Sequence, residues 1–178
     1  MLAHDYLSAE DLWALSDNEV KRELLRGELI EMPPPGEEHG GIAANLVAVL
    51  HPWARGSGLE ARVLVETGFV LERGPDTVLS PDVSLRLAPG PLSKAFVVGP
   101  PDLAVEIVSP SDHLAAILRK AEAYLEAGVR GVWVVDPRRR QLWVYAPECE
   151  PHVLGPNDML DGGALLPGFE VRVGVLFE

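Results

Sequence analysis

Two carboxylates interrupt apolar runs in this chain. Asp82 lies in Ser80-Pro-Asp-Val-Ser-Leu85, and Glu106 lies in Pro101-Asp-Leu-Ala-Val-Glu-Ile-Val-Ser-Pro110. Short runs rich in Val, Ile and Leu read as buried strands. An ionised carboxylate inside one costs on the order of several kcal/mol unless something pairs with it. Consecutive strands are usually neighbours, so the two carboxylates are expected side by side. Held together away from water, they repel and call for a proton or a cation. Mg²⁺ fits, with Mn²⁺ as a substitute: it takes hard oxygen ligands, one or two carboxylates with water and phosphate oxygens completing its shell. The structural alternative makes Asp82 a turn residue after Pro81 and Glu106 the partner of an arginine.

Lys120 is the third candidate. At 100° per residue it falls on the flank of a helix that follows Glu106, within reach of the strand leading into that helix. An ammonium group there could position a nucleophilic water and stabilise developing negative charge. The alternative is a solvated helix lysine. Tyr124, one turn on, packs over the same flank.

The elements that must position these residues follow from periodicity and punctuation. Ser8 caps a short helix expected over 8–18, with acidic residues in its first turn. Arg22 to Met32 reads as a hairpin or bent strand turning at Gly27, and Pro33-Pro-Pro-Gly36 ends it. Ile42, Leu46, Val49 and Leu50 mark a helix from Glu37 that Pro52 bends or ends. Strands are expected over 60–71 and 78–87, the second with Pro81 inside it, and a long loop over 88–101. After the Glu106 strand, Ser109-Pro-Ser-Asp112 forms a turn and N-cap for a helix to Ala127, with Gly128 as its C-cap. A hairpin over 131–145 and a last strand over 169–173 complete the chain. The order implies a mixed α/β or α+β fold with helices covering a central sheet.

The bulk numbers bound the function. With 178 residues, 47% apolar and 24% charged, the chain has the balance of one globular domain. The single Cys149 excludes an intramolecular disulfide and a cysteine-based zinc cluster. No apolar run approaches the length of a membrane span, and Met-Leu-Ala-His-Asp-Tyr lacks the look of a signal peptide, so a soluble cytoplasmic protein is expected. The formal net charge of -12 argues against phosphate binding by the surface at large, although a carboxylate-held cation can bring a phosphate in. Arg138-Arg-Arg140 is the one dense basic run, at a hairpin tip.

The succession Ser80-Pro-Asp82-Val-Ser, Pro101-Asp-Leu-Ala-Val-Glu106-Ile-Val-Ser-Pro-Ser111, Lys120-Ala-Glu-Ala-Tyr124-Leu-Glu-Ala-Gly128 and Val132-Trp-Val-Val-Asp136-Pro resembles the Uma-type restriction endonuclease family, part of the PD-(D/E)XK nuclease superfamily. The opening Arg22-Glu-Leu-Leu-Arg-Gly-Glu-Leu-Ile-Glu-Met-Pro-Pro-Pro and Glu38-His39 fit the same family, and the likeness spans about 20–175. It implies a restriction-endonuclease-like mixed sheet flanked by helices. Within one domain (1–178) it implies an N-terminal helix and hairpin (1–36), a nuclease-like core (37–146) and C-terminal strands (147–178). Asp82 and Glu106 would be the metal-holding acids, with the Ile107 carbonyl as a further ligand. The family's in-strand lysine is replaced by Val108, and Lys120 matches the lysine of the following helix. Glu38 and His39 fall on a Glu-His pair, an extra carboxylate and a candidate proton shuttle. Glu23 and Glu28 match recurring acidic positions that also suit structural roles. The implied activity is Mg²⁺-dependent phosphodiester hydrolysis of nucleic acid, DNA being the expected partner. Apart from the resemblance, Trp133, Trp143 and Tyr145 on the late hairpin could form an exposed dimer surface or face the core, and a homodimer is the expectation. The rival expectation is a catalytically inactive nuclease fold serving as a regulatory or assembly subunit.

Overall fold

The computed structural model describes residues 6–15, 20–110 and 114–178. In chain order the elements are α1 (Ala9–Ala14), β1 (Lys21–Leu25), β2 (Glu28–Met32), α2 (Glu37–Gly56), β3 (Ala61–Val65), β4 (Phe69–Glu72), β5 (Thr77–Leu79), β6 (Val83–Leu87), β7 (Val97–Val98) and β8 (Leu103–Ile107). Then come α3 (Leu114–Glu126), β9 (Gly131–Asp136), β10 (Gln141–Tyr145), β11 (His152–Leu154), β12 (Met159–Asp161), β13 (Glu170–Arg172) and a closing 3-10 helix, Val173–Phe177. The end of the helix expected over 8–18, and the expected cap at Ser111 and Asp112, lie outside the described residues.

The fold is mixed α+β, as expected, but it carries two main sheets and not one. A six-stranded sheet has the order β11-β10-β9-β8-β6-β3, and a five-stranded sheet the order β2-β1-β5-β4-β7; β12 and β13 form a separate ribbon. In the six-stranded sheet β8 and β9 are parallel, joined through α3 as a βαβ crossover, and the other pairs are antiparallel.

Alternation along β8 decides which way its side chains face. Leu103, Val105 and Ile107 pack with Ile42, Leu46 and Leu50 of α2. Ala104 packs on the other face, with Ile117, Ala121 and Tyr124 of α3. Glu106 shares the parity of Ala104, so it faces α3. The same α3 cluster takes in Leu79 and, more loosely, Leu25 and Leu71. Helix α3 therefore sits between the two sheets.

Two expected strands are each split between the sheets. The run over 60–71 becomes β3 in one sheet and β4 in the other, and the run over 78–87 becomes β5 and β6. The first break falls at Glu66, whose φ of 49° is left-handed and ends regular pairing. The second falls at Ser80-Pro81-Asp82, where proline removes a ladder donor. The two crossings touch: the Glu66 N–H donates to the Asp82 carbonyl at 3.3 Å. Proline does not end α2, which runs through Pro52 to Gly56. Trp53 anchors that last stretch by donating its indole N–H to the Pro167 carbonyl at 3.0 Å. The loop over 88–101 contributes the two-residue β7.

The β1–β2 hairpin carries residues to the site and is fixed by Gly27. Its φ is 81°, its N–H donates to the Asp76 carbonyl at 2.7 Å, and its carbonyl accepts from Leu7 at 3.1 Å. A Cβ there would lie 2.6 Å from the Tyr6 side chain. Gly27→Ala is accordingly predicted to lower stability by about 1–3 kcal/mol, from strain and crowding together. Urea unfolding of the two proteins measures this; an unchanged midpoint would contradict the assigned backbone.

Candidate active site

Register brings the two carboxylates together. In the antiparallel pair β6–β8, Val83 is opposite Val105. One step further along both strands stand Asp82 and Glu106, on the face that looks toward α3. Asp82 is 4% exposed and Glu106 3%. Both line a cavity of about 240 Å³ bounded by the end of β8, the first two turns of α3, the β1–β2 hairpin, Pro33–Gly36 and the start of α2.

Asp82 is held from three sides. Its Oδ2 accepts the Ile107 N–H at 2.7 Å and lies 3.1 Å from His39 Nε2, while Oδ1 accepts from Lys21 Nζ at 3.2 Å. Lys21 Nζ also pairs with Glu66 Oε2 at 2.5 Å. Burial pushes the Asp82 carboxyl up. The His39 hydrogen bond, the Lys21 charge and the Ile107 N–H outweigh that, and hold it well below the usual carboxylate range. His39 is raised in turn, chiefly by its bond to Asp82 and against its own burial. Burial raises Glu66 as well, with Lys21 opposing.

Glu106 has different partners. Its Oε2 accepts from Lys120 Nζ at 2.7 Å and its Oε1 from the Tyr124 hydroxyl at 2.7 Å. Burial pushes its carboxyl up to about 7, against the pull of the Lys120 ammonium. Lys120 is itself buried, which lowers its pKa, yet the charges of Glu106 and Glu23 more than reverse that and keep it protonated. The Tyr124 hydroxyl is driven up by burial and by the Glu106 charge, so it stays a donor.

Glu23, fully buried on β1, completes the set. Its Oε1 accepts the Ser80 N–H at 2.7 Å and Lys120 Nζ at 3.3 Å. Its Oε2 lies 3.1 Å from Lys120 Nζ but has no hydrogen bond of good geometry. Lys120 thus bridges the carboxylate of one sheet, Glu106, to the carboxylate of the other, Glu23.

The expected residues are distributed as follows. Asp82, Glu106, Lys120, His39 and Ile107 meet at one cavity. The bond that links Ile107 to Asp82 is made by its N–H. Glu38 is exposed and lines a different cavity, with Asn45, Arg140 and Glu178. Residue 38 is one step, about 100°, from residue 39 around the helix, so the buried His39 and Glu38 face apart. Glu28 is exposed on β2. Trp133 is in the core and Cys149 is exposed. Arg138 donates to the Pro110 carbonyl, and Arg139 pairs with Asp136.

Lys21 and Glu66 line the same cavity and carry no signal in the sequence that marks them out. Lys21 opens a strand whose charged residues alternate with nothing distinctive. Glu66 becomes a neighbour of Asp82 only because two sheet crossings touch. Glu23 was visible as an acidic position among leucines, and its zero exposure turns it from an ordinary strand residue into part of the charge network.

The model of the Uma2 family, described as "Putative restriction endonuclease", matches residues 5–174, and the chain belongs to that family. A crystal structure titled as a putative nuclease belonging to DUF820 from Anabaena variabilis superposes with a TM-score of 0.83 at 21% identity, covering 96% of this chain and 97% of the other. That likeness establishes the shared fold. A DrdV–DNA complex aligns over 80% of this chain and 94% of the other at 18% identity, with a TM-score of 0.36, too low to carry an argument. No curated protein matches.

Breaking the charge bridge should be costly. Lys120→Met would leave Glu106 and Glu23 facing each other in the interior without their shared ammonium group, a loss expected to cost about 3–5 kcal/mol. Tyr124→Phe removes one hydrogen bond to Glu106 and should cost about 1–2 kcal/mol. Chemical denaturation of both variants checks the ranking. A Lys120→Met protein as stable as the parent would show that the bridge does not form.

Proposed function

We propose that this protein is a divalent-metal-dependent nuclease that hydrolyses phosphodiester bonds in nucleic acid, DNA being the expected substrate. The observation that carries the reading is the meeting of Asp82 and Glu106 from adjacent strands at one cavity, with the Lys120 ammonium 2.7 Å from Glu106. Membership of the Uma2 family supports it.

The donor set suits a hard cation. Among the described residues no three His, Cys, Asp or Glu side chains form a ready-made metal cage. Two carboxylates with room beside them are what Mg²⁺ or Mn²⁺ uses when water and phosphate oxygens supply the rest of the shell. Glu23, Glu66, Asp82 and Glu106 bring four carboxylates to the site, met by the ammonium groups of Lys21 and Lys120 and by His39. Asp82 and Glu106 would hold it, with the Ile107 carbonyl as a further candidate. The bound ion would polarise the phosphate and lower the pKa of the attacking water.

The chain's own groups do the remaining work. Lys120 Nζ orients the water and offsets the charge that builds on the phosphoryl oxygens. A P–O bond forms to the water oxygen and the bond to the leaving oxygen breaks; the water gives up a proton and the leaving oxygen takes one. His39 holds the Asp82 carboxylate in place, because its Nε2 is committed to Oδ2. In this scheme it is a positioning residue and not a proton shuttle. Tyr124 and Glu23 fix Glu106 and Lys120 respectively.

A non-catalytic role as a regulatory or assembly subunit is favoured by one observation: Lys21 and Lys120 already compensate much of the site's negative charge. Metal binding separates the two readings. Mn²⁺ or Mg²⁺ at 100 times its dissociation constant should stabilise the wild type by about 2.7 kcal/mol, seen as a rise in melting temperature absent in Asp82→Asn. Cleavage of plasmid or single-stranded DNA in Mg²⁺ should be lost in Asp82→Asn and Glu106→Gln. A wild type that neither shifts nor cleaves favours the subunit role, and cleavage surviving in both variants removes these residues from the site.

A further inference from the structure

We infer that the site takes a single, unstacked strand — a free single strand, a flap or a frayed end — and not an intact duplex, with one nucleoside-sized unit seated against the Pro33–Pro35 wall of the cavity. This rests on the nuclease reading and adds the substrate class.

Depth is the first reason. The carboxylates that would hold the metal are almost wholly buried, and they line a cavity of only about 240 Å³. That is below the ~300–1,000 Å³ of sites that engulf a drug-sized ligand, so one nucleoside-sized unit fills it. A duplex is a stiff rod with a persistence length of ~50 nm. It can present a phosphate at the mouth of the cavity, but it cannot seat a nucleoside unit inside without breaking pairing and stacking. A single strand does not carry that cost.

The chemistry of the wall is the second reason. Leu25, Ile30, Met32 and the three prolines give the cavity an apolar stretch of lining beside the carboxylates Asp82 and Glu106. Enzymes that receive an extruded base hold it between aromatic or apolar groups and keep charge for the reacting atoms. A duplex phosphate track would put lysines and arginines there instead.

Charge is the third. Of the four basic side chains lining the cavity, Lys21, His39 and Lys120 are engaged by carboxylates. Arg119 is exposed and has no hydrogen bond or ion pair among the described residues. With a net charge of -12 the remaining surface offers little to a long polyanion. Arg119 is then the cation that meets the phosphate next to the seated unit. Engagement of only one or two phosphates predicts a shallow salt dependence, with a slope of log K against log salt of about -0.7 to -1.4.

The test measures binding and cleavage separately. Short labelled oligonucleotides of DNA and of RNA are offered as a single strand, a blunt duplex and a duplex with an overhang. Binding is read by anisotropy in Ca²⁺, which shares the oxygen preference of Mg²⁺, and cleavage in Mg²⁺. At least tenfold tighter binding of the single strand and the overhang than of the blunt duplex is expected, and DNA and RNA arms show which strand is preferred. Arg119→Glu and the exposed-wall variant Pro34→Asp should each weaken single-strand binding at least tenfold with an unchanged melting temperature. Equal or tighter binding of the blunt duplex, or no binding of any strand, overturns the inference. So does unchanged single-strand binding in both variants. Preferential strand binding without cleavage leaves the inference standing and sinks the nuclease reading.

Discussion

Buried negative charge is the constraint to which the rest of this structure answers. Three carboxylates, Glu23, Asp82 and Glu106, are almost wholly removed from water, and each is met by a named cation or donor. Replacing such a cluster by apolar residues would serve stability as well or better. The cluster stands at the wall of a cavity, where a divalent cation could meet it. The lysines that compensate it come from two elements, Lys21 from the N-terminal hairpin and Lys120 from the crossover helix, so the network ties both to the six-stranded sheet.

The two-sheet architecture follows the same logic. Chain segments pass from one sheet to the other at Glu66 and at Ser80-Pro81-Asp82, and these crossings place a carboxylate at each passage. Strand ends that lack ladder partners leave backbone N–H groups to be satisfied. The Ser80 N–H goes to Glu23 and the Ile107 N–H to Asp82. The hydrogen bonds that position the acids are thus the ones that the broken ladders require. Position and charge compensation are not separate features here.

Much of this was legible in the sequence, for physical reasons that differ by residue. Asp82 and Glu106 stood out as ionisable groups in apolar runs, and the adjacency of consecutive strands put them side by side; their common face comes from the register of β6 and β8. The helical angle put Lys120 on a flank of its helix, and the family resemblance turned that flank toward Glu106. The division into two sheets was not legible, because 60–71 and 78–87 read as continuous strands and only Pro81 hinted at a break. Lys21 and Glu66 stayed hidden for the same reason: their nearness to Asp82 is a tertiary fact with no local signature. Glu38 and His39 show the limit of reading by motif. The pair is adjacent in sequence, yet the helix turns one residue to Asp82 and the other to solvent.

The most direct test of the account is a crystal structure of the protein soaked with Mn²⁺, with anomalous data collected. The account predicts an anomalous peak within coordination distance of an oxygen of Asp82 and an oxygen of Glu106, with Lys21 Nζ displaced from Asp82 and Lys120 still beside Glu23. Density for both lysines in their metal-free contacts, with no anomalous peak between the carboxylates, would contradict it.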